Sequence, residues 1–423
     1  MASSGPVDDR VKCLAIGDIH IKISNIQDID LFLGKLEEHL KVNKYDFIVN
    51  LGDTLDTHEK LDSITLSKAT DYFKLMLKYA NTYVLVGNHD YISNQQFLSD
   101  KHWLNPFKML ENDSEEKEES GLDKPNKLKI VDTVIVDEYK GYDFMFVPYV
   151  TDGRFKEAIE HKMGIGYLSR ENSAQFPSCI FAHQLFDTVK MGAIVAENVE
   201  KWNVPIQIIS GHIHDRQTIP IFLSESSRCD AGKKGKESKE KKKGKEEVSK
   251  KTIYYTGSSL QHAFGESADK TILDATFDKD DIKMEEIDLQ LPKRKIVRCE
   301  VSEIKKVVKK LPMEKIADGS LKIKIYVSGS YEDYKAFKET SYYREQTKLG
   351  IRFTFKGDPK DVAYRKTVEE KGTTYAKKDI NFFKLLKDNI DKDENKEMTA
   401  LYTELVMAVQ PVQQDVDRDA EGV

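Results

Sequence analysis

Taken in chain order, the segments "GDIH", "GD", "GNHD", "AHQ" and "GHIH" supply Asp18 and His20, Asp53, Asn88 and His89, His183, and His212 and His214. Each of these stands immediately after a run of strand-forming residues, and most follow a glycine. Imidazole, carboxylate and amide oxygen together suit borderline divalent cations such as manganese, iron or zinc, and no thiolate contributes. There are enough donors for two ions, with one central carboxylate between them. Two such ions about 3.5–4 Å apart are a device for hydrolysing phosphate esters. Within "GNHD", Asn88 offers a neutral oxygen ligand and His89 an imidazole to protonate the departing oxygen. Asp90 is placed to orient His89 or its neighbours from behind. His20 or His183 alone would read as an ordinary, partly buried histidine. The weight comes from the whole ordered set.

The elements that must position these residues are legible. "VKCLAIGD", "DFIVNLGD" and "TYVLVGNHD" are short buried strands. "IDLFLGKLEEHLK" and "SITLSKATDYFKLMLKYA" between them carry apolar residues at helical spacing, with Ser63 as an expected N-cap. Strand and helix in alternation predict a parallel sheet covered by helices. Ligands in such sheets sit beyond the carboxyl ends of the strands, so the polar residues should converge on one rim. A hairpin around Lys140-Gly141 and further strands in "SCIFAHQLF", "PIQIISGHIHD" and "TIYYTGSSLQHAFGE" continue the pattern.

The 423 residues suit two or three domains, and the net charge of −6 argues against a uniformly basic coat while leaving room for a local basic face. Cys13, Cys179, Cys229 and Cys299 form no CxxC pair and read as reduced thiols of an intracellular protein. No signal core or long apolar run is evident, so a soluble, cytoplasmic or nuclear protein without membrane contact is expected. Residues 1–292 read as the main domain. Within it the Lys-rich stretch at about 228–251 lacks apolar anchors and reads as a disordered, solvated loop. A small α/β domain is expected at 293–357, a polar linker at 358–378, two amphipathic helices at 379–410, and a frayed tail at 411–423.

The series "DIH…GD…GNHD…H…GHIH" resembles the calcineurin-like metallophosphoesterases, and "YYTGSSLQHAFGES" narrows the resemblance to SbcD-type DNA repair nucleases. "GDTLDTHEKLDSITL" is most similar to the recombination endonuclease subunits of large phages and giant viruses. The resemblance implies an α/β fold, a β-sandwich flanked by helices, with a capping domain and a C-terminal helical segment that grips an SbcC-like coiled-coil ABC ATPase. It implies a homodimer acting on DNA ends with two divalent ions, Mn2+ foremost, inside the host cell if the protein is viral. Asp18, His20, Asp53 and His214 would hold one ion. Asp53, Asn88, His183 and His212 would hold the other, with Asp53 bridging and His89 as general acid. Many members carry a histidine three residues after the bridging aspartate; here Asp56 stands there, with His58 two further. Asp56, His58 and His262 are candidates for the rim that meets DNA. Phe382, Phe383, Leu386, Leu401 and Leu405 are candidates for the face that meets the ATPase.

Two other readings stay open. One is a phosphatase or phosphodiesterase acting on small molecules or phosphoproteins. The other is a silent scaffold that tethers DNA and ATPase.

Overall fold

The computed structural model describes residues 8–356 apart from 57–60, 94, 113–125, 171–175, 192–193, 198, 224–246 and 280. His58, the linker, the expected helices with Phe382, Phe383, Leu386, Leu401 and Leu405, and the tail lie outside the described residues. The described residues up to Val327, together with Glu332–Phe355, form one compact unit. Among the described residues no helix is long and apolar enough to cross a membrane.

The chain begins with β1 (Val11–Ile16), α1 (Ile26–Val42), β2 (Phe47–Asn50), α2 (Ser63–Tyr79), β3 (Asn81–Leu85), the short α3 (Met109–Asn112) and β4 (Leu128–Val131). Helix α1 buries Ile29, Phe32, Leu36 and Leu40, a stripe at intervals of three and four that places them on one face. The N-cap of α2 is Asp62 rather than the expected Ser63. Its carboxylate accepts from the Ile64 N–H at 2.8 Å, a charged acceptor at the positive end of the helix.

Next come β5 (Ile135–Tyr139) and β6 (Tyr142–Val147), joined at Lys140-Gly141. Both turn residues have positive φ, 52° and 84°, as a tight two-residue hairpin demands. Then follow α4 (Phe155–Met163), β7 (Cys179–Ala182), β8 (Lys190–Met191), β9 (Ile194–Val195), β10 (Ile208–Ser210), β11 (Gln217–Leu223), β12 (Glu247–Tyr255), β13 (Ile272–Asp278) and β14 (Asp281–Ile287). Glu247–Lys251, expected in the solvated Lys-rich loop, is instead the start of β12. Its backbone pairs antiparallel with β11, Phe222 opposite Val248. The ladder supplies the order that side-chain hydrophobicity does not.

Two six-stranded sheets result, in the orders β14-β13-β1-β2-β3-β4 and β11-β12-β10-β7-β6-β5. Strands β1 to β4 are parallel to one another, as are β6, β7, β10 and β12. The sheets face each other across a shared core. Val11, Cys13 and Ala15 from β1 meet Phe144, Phe146 and Phe181 from the second sheet there. Tyr83 stacks on Phe146 with centroids 3.9 Å apart. The alternate residues Leu14 and Ile16 face α1 and α2, while Met145 and Val147 pack with residues of α4. Both faces of each central strand are therefore buried, which explains the near-continuous apolar runs. The result is a β-sandwich with helices outside.

The remainder comprises β15 (Lys293–Glu300), α5 (Ile304–Val308), α6 (Met313–Ala317), β16 (Leu321–Ser328), α7 (Tyr331–Glu339), α8 (Ser341–Lys348) and β17 (Arg352–Phe355). Its strands form a sheet in the order β15-β16-β17 with a separate small core around Ile304, Ile323, Ile325 and Phe337. The Asp28 carboxylate on α1 receives both Arg294 of β15 and Lys322 of β16. Arg294 also donates to the His262 carbonyl, so the small sheet is tied to the loop after β12.

Candidate dinuclear metal centre

The carboxyl ends of β1, β2 and β3 in one sheet and of β7, β10 and β12 in the other open onto one rim. Asp18 and His20 follow β1, Asp53 follows β2, and Asn88 to Asp90 follow β3. His183 comes directly after β7, His212 and His214 follow β10, and His262 follows β12. Asp18, His20, Asp53, Asn88 and His183 are buried.

Their donor atoms crowd together. His183 Nε2 lies 2.9 Å from Asn88 Oδ1 and 3.3 Å from Asp53 Oδ2. His212 Nδ1 lies 2.8 Å from the same Asn88 oxygen and 3.2 Å from His183 Nε2. On the other side of Asp53, His20 Nε2 is 3.5 Å from Asp53 Oδ2 and 3.0 Å from His214 Nε2. Asp53 thus stands between an Asn88/His183/His212 group and a His20/His214 group.

A divalent cation fits this donor set for three reasons. His183 Nδ1 lies 2.7 Å from the Leu51 carbonyl, which only accepts, so that nitrogen carries the proton and Nε2 offers its lone pair. That lone pair faces a carboxylate and an amide oxygen, a gathering of acceptors that needs positive charge in its midst. Asp18 Oδ2 is buried with no hydrogen-bond partner among the described residues, while its Oδ1 accepts from the His212 N–H at 3.0 Å. Without a cation, protons take the role. Burial works against a charge on His183, but Asp53 and Asp18 overcome it and push its pKa up to about 9. Burial likewise opposes the charge on Asp53, and His183, His20 and His89 outweigh it and hold the carboxyl well below the usual range.

Close approach explains Gly87, and at Gly52 it adds to a backbone that turns with φ 105°. A Cβ on Gly87 would stand 2.2 Å from Asp53 Oδ1, and one on Gly52 2.4 Å from His183 Nδ1. The left-handed backbone falls on ligand residues themselves, with φ of 43° at His20, 49° at Asp53 and 78° at His212. Such conformations are costly outside glycine and persist where the surroundings impose them.

Asp90 does not bond the His89 ring. Its buried carboxylate accepts from the backbone N–H groups of Gly87, Thr54 and Leu55 at 3.0, 3.2 and 2.9 Å, pinning both loops that flank Asp53. Burial first, and then the negative Asp53, push its pKa up to about 7. The carboxylate near His89 is Asp56, with Oδ1 3.4 Å from His89 Nδ1 and 3.2 Å from His20 Nδ1. Asp56 also pairs with Lys22, and so belongs to the site. The His89 side chain keeps 32% of its surface open, and its ring meets His20 edge-on at 4.7 Å.

His262 reaches further inward than a rim residue. Its ring packs against His20 and His214 at 4.8 and 5.2 Å. Two residues in the site have no place in the sequence reading. Glu266, 3.7 Å from His214 Nδ1, also receives the His262 N–H at 2.9 Å. Tyr149 stacks on His212 at 5.8 Å. Glu266 lies in the "FGE" segment, so its signal was present, whereas nothing marks Tyr149 among many tyrosines.

A helix-flanked β-sandwich with an Asp/His/Asn cluster for divalent cations at its strand ends defines a metal-dependent phosphoesterase. The calcineurin-like phosphoesterase family matches residues 11–216. Over 362 residues the chain is 32% identical to the "Putative phosphoesterase 078R" of Invertebrate iridescent virus 3, covering 83% of this chain and 86% of that protein. Over 337 residues it is 35% identical to the "Putative phosphoesterase 244L" of Invertebrate iridescent virus 6, covering 78% of this chain and 98% of that one. The chain belongs to the calcineurin-like phosphoesterase family and is a phosphoester hydrolase.

Proposed function

We propose that the protein hydrolyses DNA phosphodiesters with two Mn2+ ions and processes DNA ends together with an SbcC-like ATPase. Asp18, His20, Asp53 and His214 would hold one ion, and Asp53, Asn88, His183 and His212 the other. Bound there, the pair would supply a nucleophile at neutral pH and neutralise charge building on phosphorus. Neutral His183 presents Nε2 because the Leu51 carbonyl holds its other nitrogen. His89 lies on the open side and donates the proton that the departing oxygen needs, with Asp56 stabilising its protonated ring. Asp90 keeps Asp53 and Asn88 in register through three backbone bonds.

The observation that favours nucleic acid over a small ester is the cleft beside His262. It measures about 630 Å3 and is lined by His262, Phe264 and Arg352, by Lys22 on its Asp56 partner, and by Arg294 and Lys322 sharing the Asp28 carboxylate. Along the same sheet Lys324 stands over Phe264 and Tyr326 at 5.7 and 5.2 Å, and Arg298 over Tyr326 at 5.9 Å. Cations interleaved with aromatic rings suit a phosphate backbone carrying unstacked bases. The ATPase partnership and a homodimer rest on the sequence resemblance and on the amphipathic helices expected at 379–410. The iridescent-virus relatives favour action inside a host cell.

The test is to incubate purified protein and Mn2+ with labelled single- and double-stranded DNA beside an aryl phosphomonoester. Shortened DNA with intact ester is expected. Ester cleavage with intact DNA would move the protein to the phosphatases. Neither reaction, with DNA still bound, would leave a scaffold.

A further inference from the structure

The loop after β12 carries an imidazole outside the ligand set given above. His262 Nε2 lies 3.0 Å from the backbone carbonyl of Asp18. A carbonyl only accepts, so Nε2 carries the proton and Nδ1 the lone pair. Nδ1 is buried and has no hydrogen-bond partner among the described residues. His183 follows the same logic, with one nitrogen spent on a backbone carbonyl and the other left as a ligand atom. One ring nitrogen from each of His20, His214 and His262 lies within 4.8 Å of the other two. The 3.0 Å between His20 and His214 Nε2 is what ligands at right angles show when each bond is about 2.1 Å long.

The loop is held rather than loose. Glu266 accepts the His262 N–H, and Gln261 both accepts from the Arg294 N–H at 2.6 Å and donates to the Arg294 carbonyl at 3.0 Å. The Arg294 guanidinium, anchored on Asp28, donates to the His262 carbonyl. His262 is therefore fixed from both sides, with its free lone pair enclosed.

We propose that His262 is a further protein ligand to the ion held by His20 and His214. This rests on the reading above that the site takes divalent metal. A third imidazole changes the character of that position. Carboxylate-rich sites suit manganese and magnesium, whereas imidazoles suit iron, cobalt and zinc. The His20/His214/His262 position should favour iron, cobalt and zinc more than the other position does, and it should offer one fewer open coordination place.

Co2+ titration of the full chain, followed by visible absorption and by paramagnetically shifted proton NMR, tests this. For His262→Gln the expected result is a changed absorption band for one Co2+ of the pair, one fewer shifted ring N–H signal, and at least tenfold weaker binding of that ion. Mn2+ affinity should fall by a smaller factor. An unchanged Co2+ spectrum overturns the proposal. So does an equal loss for Co2+ and Mn2+ without a spectral change, which would mark His262 as positioning Asp18 only. Should the variant fail to fold, the wild-type Co2+ protein decides: five shifted ring N–H signals support His262 as a ligand, and four overturn it. Failure of wild-type protein to bind any metal would instead show that the underlying reading is wrong.

Discussion

Gly87→Ala changes no proposed ligand yet should disable the metal centre. The new Cβ would lie 2.2 Å from Asp53 Oδ1 and 2.3 Å from Asp53 N. Cβ contacts under 3.0 Å essentially never occur, so the carboxylate and its backbone must retreat by about 0.8 Å or more. Metal ligands tolerate only about 0.2 Å. Asp53 cannot yield easily, because its Oδ1 accepts from the His89 N–H at 2.8 Å and its φ is already 49°. Overpacking of this kind costs about 1–3 kcal/mol. If most of it falls on the metal-bound form, affinity drops roughly 5- to 150-fold, since each 1.4 kcal/mol is about tenfold. Calorimetric titration with Mn2+ reads this directly. Gly34→Ala is the matched control: the added Cβ meets nothing within 4 Å on an exposed face of α1. It should raise stability by about 0.5–1 kcal/mol and leave metal affinity alone. Wild-type Mn2+ affinity in Gly87→Ala would refute the claim that close approach explains this glycine.

Three further outcomes follow from the geometry. His89→Ala should retain metal but lose hydrolysis by about 10²–10⁴-fold, read as turnover beside metal content; an unchanged rate removes the general-acid role. Asp28→Ala strips Arg294 and Lys322 of their shared carboxylate. With Arg294 largely buried, urea unfolding should show a loss of about 2–3 kcal/mol, and a loss below about 0.5 would contradict the anchoring role. Burial would raise the Asp132 carboxyl, but hydrogen bonds from His102 and Lys108 outweigh it and lower its pKa from the usual 3.8. A depressed carboxyl stabilises above its unfolded value and loses that contribution as pH falls through the folded one. Wild-type stability should therefore fall more steeply below about pH 4 than that of Asp132→Asn, measured by thermal melts across pH.

Much of the site was legible because its residues break a local rule in plain view. An apolar run that stops at Gly-Asp or Gly-His has no packing reason to do so, and Asp18, Asp53 and His212 declare themselves that way; Asn88 follows Gly87, and His183 and His214 stand at the same kind of strand end. The purpose of the glycines was not legible, because Gly87 is demanded by a carboxylate 34 residues away in sequence. The tasks of Asp56 and Asp90 depend on which loop each carboxylate faces, and that is a tertiary fact. His262 has no periodicity or spacing to distinguish it from a loop residue. Its significance lies in a hydrogen bond to a backbone 244 residues earlier. The Lys-rich opening of β12 was hidden because ladder pairing, not side-chain hydrophobicity, orders it.

The central claim is that Asp53 lies between two cation positions. Metal content per folded chain, measured after Mn2+ loading and removal of excess ion, tests it most directly in wild type and Asp53→Asn. Two ions per wild-type chain and fewer than one in the variant are predicted. Two ions retained in Asp53→Asn, or none in wild type, would contradict it.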